Sequence, residues 1–248
     1  MKILLAPSET KQEGGEGSFE LESLFLSQEI TPARAELFNA YNRVVTSGNI
    51  EQLSKMFGLK KESDILKYAK DISHSPTLKA ILRYIGVAFD HLEYKNLDAK
   101  AQEYIDNNVI LFSNLFGAIK ASDQIPLYRL KQGEDVGALK PQNIYKSALK
   151  EPLDSYLESE DILDIRAGFY DKFYKPKKKY TTLKFLKEGK VVSHWAKAYR
   201  GIVLRHIAQN QIENMSDFIA MPIQGLELLE IREGKLKQEL IYQIEEQQ

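Results

Sequence analysis

A hydroxyl, a carboxylate and an amine stand together in the run Ser8-Glu9-Thr10-Lys11, directly after the apolar stretch Ile3 to Ala6 and Pro7. A loop of this composition at the end of a buried strand can offer hydroxyls, amides and a cation to an anion, because ligands of open α/β sheets gather at the carboxyl ends of strands. The plainer reading is a polar turn. A second unit is Leu127-Tyr128-Arg129-Leu130, where Arg129 lies between apolar residues. A cation so placed is either paired internally or bound to an anion. The third unit is Lys197, Arg200 and Gly201. Lys197 and Arg200 share the face of a predicted helix with Leu204, and the missing side chain at Gly201 leaves room for an anion or for a closely packed second helix. Ser8, Lys11, Tyr128, Arg129, Lys197 and Arg200 together would make an anion pocket for a nucleotide-like molecule, with Tyr128 or Glu9 moving protons.

The charge distribution widens the choice. Residues 166–205 carry twelve basic side chains against Asp171 and Glu188, a local charge of +10 in a chain whose formal charge is −1. The run Lys177-Lys178-Lys179 lies inside this segment, with Phe169, Tyr170, Phe173, Tyr174, Tyr180, Phe185, Trp195 and Tyr199 interleaved among the cations. Cations with aromatic faces suit phosphate contact and base stacking. Against that, aromatic residues in mid-chain also build cores, and three lysines after Pro176 also make a solvated turn. Residues 211–248 run the other way, with eight acidic and three basic side chains, which would suit an interaction protein that uses its acidic end.

Other chemistries are excluded by what is missing from the sequence. The chain has no cysteine, so disulfides, thiolate metal sites and a cysteine nucleophile are ruled out. Its four histidines (His74, His91, His194 and His206) have no short ligand spacing, so neither a metal nor an organic cofactor is expected. Gly14, Gly15 and Gly17 match neither a phosphate loop nor a dinucleotide fingerprint and read as a mobile loop. No G-x-S-x-G nucleophile elbow occurs.

These groups must be positioned by a mixed fold. Ile3 to Ala6 and Val109 to Phe112 are continuous apolar runs, which predicts two buried strands that pair. Thr31-Pro32 predicts a helix start, with Gly48 as its stop, and a shorter helix ends at Gly58. Further helices are predicted over 61–72, after Asp98, over 142–158 and over 195–208. Asp161 to Ile165 reads as a strand. Leu183 to Val192 and the pair Leu226 to Ile231 with Leu236 to Ile244 read as hairpins. With 248 residues, 43% hydrophobic content and no Pro/Gly/Ser-rich joint, this predicts one compact α/β (mixed α+β) domain over 1–248, a central sheet flanked by helices. No stretch is long and apolar enough for a membrane span, so a soluble cytoplasmic protein is expected. Leu115-Phe116-Gly117-Ala118-Ile119-Lys120-Ala121 resembles part of a helix-hairpin-helix, whose backbone amides hold a DNA phosphate.

Taken in order, Ala6-Pro7-Ser8-Glu9-Thr10-Lys11, Leu115-Phe116-Gly117-Ala118, Tyr128-Arg129-Leu130 with Gly133, and Ser193-His194-Trp195-Ala196-Lys197-Ala198-Tyr199-Arg200-Gly201 resemble the YaaA family of peroxide stress proteins across nearly the whole chain. The resemblance implies a cytosolic protein of the oxidative stress response that helps keep intracellular iron low. It also implies DNA binding through a positively charged cleft and a helix-hairpin-helix-like element. The matching positions are Ser8, Lys11, Gly117, Tyr128, Arg129, Lys197, Arg200 and Gly201. The chain departs from many relatives at Ser8-Glu9, where they have alanine followed by lysine, and at Ile165 to Tyr170, where they carry Asn-Leu-Ala-Ser-x-Glu-Tyr.

Overall fold

Strands that are apolar on both faces need cover on both sides, and the two such runs of this chain lie together inside its sheet. The computed structural model describes residues 1–245, apart from the side chains of Ser193 and His194. Its strands are β1 (Lys2–Leu5), β2 (Thr77–Lys79), β3 (Val109–Ser113), β4 (Gly117–Lys120), β5 (Gln124–Pro126), β6 (Ile162–Asp164), β7 (Tyr180–Lys187), β8 (Lys190–Val191), β9 (Leu226–Glu233) and β10 (Lys237–Ile244). The helices are α1 (Ser27–Val45), α2 (Ile50–Phe57), α3 (Glu62–Leu66), α4 (Ala80–Arg83), α5 (Val87–Leu92), α6 (Ala99–Asn108), α7 (Pro141–Ala148), α8 (Lys150–Tyr156), α9 (Ser193–Gln209) and α10 (Met215–Ala220).

The main sheet runs β4-β3-β1-β6-β7-β10-β9, with β8 paired to β7. Its five inner strands are mutually parallel, and β4 and β9 close the two ends antiparallel. Ile3 faces Val109 across one side of β1 and Leu163 across the other. All five residues of β3 are buried, as its apolar run requires. The result is a single mixed α/β body with helices flanking the sheet, and one continuous apolar cluster links β1, β3, β6 and β7 to α1, α6 and α9.

Local signals fix several boundaries. Asp98 caps α6 by accepting from Ala101 N at 2.8 Å, and Asn49 caps α2 by accepting from Gln52 N at 3.0 Å. Gly58 ends α2 in the left-handed region at φ 65°. Helix α1 departs from expectation: it starts at Ser27, with Leu26 at φ 59° before it, and Pro32 sits within the helix instead of opening it. Within 78–85, Leu78 and Lys79 belong to β2 and Ala80 to Arg83 form α4.

Two further expectations are corrected. Gly14, Gly15 and Gly17 do not lie in a mobile loop, because Glu16 and Thr77 exchange backbone hydrogen bonds of 3.0 and 2.9 Å and the buried Arg83 guanidinium donates to Gln12 O and Gly14 O. Leu115 to Ala121 form the β3–β4 turn and β4, not a hairpin between helices. Gly117 is buried at φ 70° with the Tyr145 ring packed on it, so its amide meets the core and not a phosphate.

Candidate anion-binding cleft

The chain leaves β1 toward β3 on one side and later places β6 on the other side of β1. Loops that leave neighbouring parallel strands in opposite directions open a crevice at their carboxyl ends. Here the segment Leu5 to Glu9 after β1 and the segment Ile165 to Tyr170 after β6 form two walls of a cleft of about 320 Å³. Gly86 to Phe89 at the start of α5 and Lys197 and Arg200 on α9 form the rest, with Gln132 at the edge. Gly86 lets the backbone approach, since a Cβ there would lie 3.3 Å from Ser8 Oγ.

The structure thus brings Ser8, Glu9, Lys197 and Arg200 together in one cavity. Arg200 is half-buried, and desolvation lowers its pKa against a smaller opposing pull from Asp164. It makes no ion pair or hydrogen bond among the described residues. The nearby carboxylates are already taken. Asp164 forms a two-pronged pair with Arg166, at 2.8 Å to Nε and 2.6 Å to Nη2, while Arg166 also lies over the Phe112 ring. Glu9 pairs with Arg129 at 3.6 Å and accepts from Gln132 N at 3.2 Å.

Other predicted site residues lie beneath the cleft and not in it. Arg129 is an internal clamp that donates to Phe57 O at 2.8 Å and holds Glu9. Tyr128 is buried, its hydroxyl 2.7 Å from both Tyr84 Oη and Ser113 Oγ, and burial raises its pKa well above the usual phenol range. Tyr128 is therefore not among the residues that line the cleft. Lys11 stands between them. Its Nζ is 4.2 Å from the centre of the Tyr128 ring and donates to Ser8 O and Glu9 O. Burial first, and then the Arg129 charge, pull its pKa from 10.5 down to about 7, with Glu9 opposing.

Gly201 has the packing role. A Cβ on it would fall 2.0 Å from Ala88 O, so its bare backbone allows α9 to lie directly on α5. The lysine run lies outside the cleft lining, and each amine has a partner within the fold. Lys177 faces Asp154 at 3.7 Å, Lys178 donates to Glu158 O and Glu160 O at 2.8 Å, and Lys179 pairs with Glu233 at 3.1 Å. The pairing of Lys179 with Glu233 also joins the basic segment to the acidic one. Of the interleaved aromatic residues, Tyr170, Phe173, Tyr174, Tyr180, Phe185 and Tyr199 are buried, whereas Trp195 is 48% exposed. Sequence reasoning missed Gly86, Phe89 and Gln132, and the cleft role of Tyr170; among these only Gly86 carried a signal, as a break between Ile85 and the next helix.

No helix among the described residues is long and apolar enough to cross a membrane. No group of three or more His, Asp or Glu side chains among them converges as a metal site. The imidazole of His194 lies outside the described residues.

Fold and site define a mixed α/β protein with a cation-lined cleft at the switch point of its sheet. The family model of the peroxide stress protein YaaA matches residues 1–231, and the chain belongs to that family. An uncharacterized protein of Campylobacter jejuni is 45% identical over 98% of this chain and 99% of its own length. A UPF0246 protein of Corynebacterium efficiens is 33% identical over 86% of this chain and 87% of its own, and one of Fusobacterium nucleatum is 27% identical over 91% and 92%.

Proposed function

We propose that this peroxide stress protein binds DNA through phosphate contacts and thereby limits oxidative damage in the cytoplasm. The observation that carries the reading is the exposed basic patch formed by the β7–β8 hairpin and the start of α9, where Lys187 Nζ lies 5.6 Å from the centre of the exposed Trp195 ring. Lys190 follows on the same hairpin and Lys197 on the next helix, all without acidic partners among the described residues. Lysines on such a patch act as point charges on a phosphate track, and one exposed indole can stack on an unpaired base. The lowering of intracellular iron is supported by the family resemblance. Shape or damage is favoured over base sequence, because no arginine fork is free on this patch to read a base edge.

The test is a salt titration of binding to duplex, single-stranded and bubble DNA. The double variant Lys187→Ala, Lys190→Ala is expected to weaken binding and to flatten the log–log salt dependence by roughly two, about 0.9 for each phosphate contact on duplex. Lys177→Ala, Lys178→Ala and Lys179→Ala together are expected to leave that slope nearly unchanged, since those amines are engaged within the fold. Binding that is insensitive to salt would sink the reading.

A second reading is an enzyme acting on a nucleotide or nucleobase. It is favoured by the enclosed cleft with Arg200 inside it and by the Lys11 amine held beneath.

A further inference from the structure

We infer that the cleft is a binding site for a phosphate monoester with a small, largely apolar or planar body, its phosphate held by Lys197, Arg200 and the Ser8 hydroxyl. This inference rests on the second reading and is independent of DNA binding at the basic patch.

Charge matching comes first. Besides Lys197 and Arg200, four ionised groups in or under the walls cancel in pairs, Glu9 with Arg129 and Asp164 with Arg166. A fifth group, the buried Lys11 amine, has its pKa held at about 7 with Ser8 O and Glu9 O as its acceptors, so it adds at most one further positive charge. Two positive charges are left facing the cavity, which matches a dianion better than a carboxylate. A monoester becomes a dianion above its second pKa near 6. Arg200 is half-buried, its pKa is lowered by desolvation, and it lacks a partner among the described residues, so a ligand anion is what would compensate it. Ser8 Oγ already accepts from Thr10 N at 3.2 Å, which leaves its own proton to donate to a phosphate oxygen.

The rest of the cavity selects the body. Much of the remaining lining is apolar: Ala6, Val87, Phe89, Ile165 and Ala167 with Tyr170. Its 320 Å³ is at the lower end of the range of small-ligand sites, ample for a nucleoside-sized group and too small for a duplex. Two sources offer this chemistry: a free nucleotide, or the phosphorylated end of a strand whose last base is unpaired.

Calorimetric titration of the full chain tests both. The probes are adenosine 5′-monophosphate, adenosine, inorganic phosphate and a 5′-phosphorylated tetranucleotide. The monophosphate is expected to bind at least about tenfold more tightly than adenosine and than inorganic phosphate, and more weakly as pH falls through about 6. Arg200→Gln is expected to cost about tenfold or more by removing a charge-assisted contact. Ala167→Phe, which fills the cavity and leaves the cations in place, is expected to cost as much; because it lies on a different wall, it separates loss of the site from a local fault in α9. Tighter binding of the tetranucleotide, with the same dependence on Arg200 and Ala167, assigns the site to strand ends. Tighter binding of the monophosphate assigns it to free nucleotides. Equal affinity for monophosphate and adenosine, no binding of either phosphorylated probe, or unchanged affinity in both folded variants would overturn the inference. Lys187→Ala with Lys190→Ala is expected to leave monophosphate affinity unchanged, so a failure of DNA binding at the basic patch is read separately.

Discussion

Gly201→Ala is expected to lower the melting temperature by at least about 6 °C, from an overpacking cost of roughly 3 kcal/mol at about 2–4 °C per kcal/mol for a chain of this size. The added methyl would meet Ala88 O at 2.0 Å and both Ala88 C and Leu92 N at 3.0 Å, all backbone atoms that cannot rotate away. Relief requires α9 to lift off α5. Ala88 on one helix and Lys197 and Arg200 on the other line the cleft, so the same substitution is expected to weaken any ligand bound there. Gly168→Ala is the control. A Cβ at Gly168 meets nothing within 4 Å, so its effect is expected to stay within about 0.5 kcal/mol. Thermal denaturation of the two variants side by side checks the argument, and equal melting temperatures would refute it.

The second large effect concerns Lys11 and its dependence on pH. The group titrates at 10.5 when exposed and at about 7 in the fold, so between those values the unfolded chain holds a proton that the native chain has released. Stability therefore rises with pH across that window, by on the order of 5 kcal/mol in all. Below about 7 both states are protonated, and the cost of burying the ammonium is felt in full. Lys11→Met keeps the aliphatic stem between Tyr84 and Tyr128 and removes the charge. The variant is expected to show a flatter stability profile from pH 7 to 10 in urea unfolding, and to equal or exceed the wild type at pH 6. Parallel profiles for the two proteins would show that Lys11 does not titrate in this range.

Much of the sheet was legible because its signals are local. The runs Ile3 to Ala6 and Val109 to Phe112 can only be covered on both faces, and Asp98 caps the helix that leads into the second of them. Hairpin turns at Glu188-Gly189-Lys190 and Arg232-Glu233-Gly234 carried their own chemistry. What was not legible depends on partners remote in sequence. Gly201 reads equally as an anion seat or a packing notch until Ala88 is seen against it. Lys177 to Lys179 read as a DNA contact because Asp154, the carbonyls of residues 158 and 160, and Glu233 are brought to them only by the fold. Arg129 sits close in space to the cleft, yet its donors face Phe57 and Glu9. Pro32 suggested a helix start because proline suits the first turn, whereas α1 begins five residues earlier and carries it inside.

The position of β1 also bears on how the protein comes to exist. It is the first strand in the chain, yet its neighbours are residues 109–111 and 162–164, so the middle of the sheet stays open until more than 160 residues have emerged. At roughly 5–20 residues per second of synthesis, Ile3 to Leu5 wait about 5–20 s for their first partner, Val109 to Leu111, and about 8–30 s before both edges of β1 can be paired. Long-range parallel pairing of this kind makes for slow folding and a long exposure of apolar edges, a period in which a chaperone has most to offer. The cleft is later still, since its last two cations lie at residues 197 and 200, and no shorter nascent chain has a complete pocket.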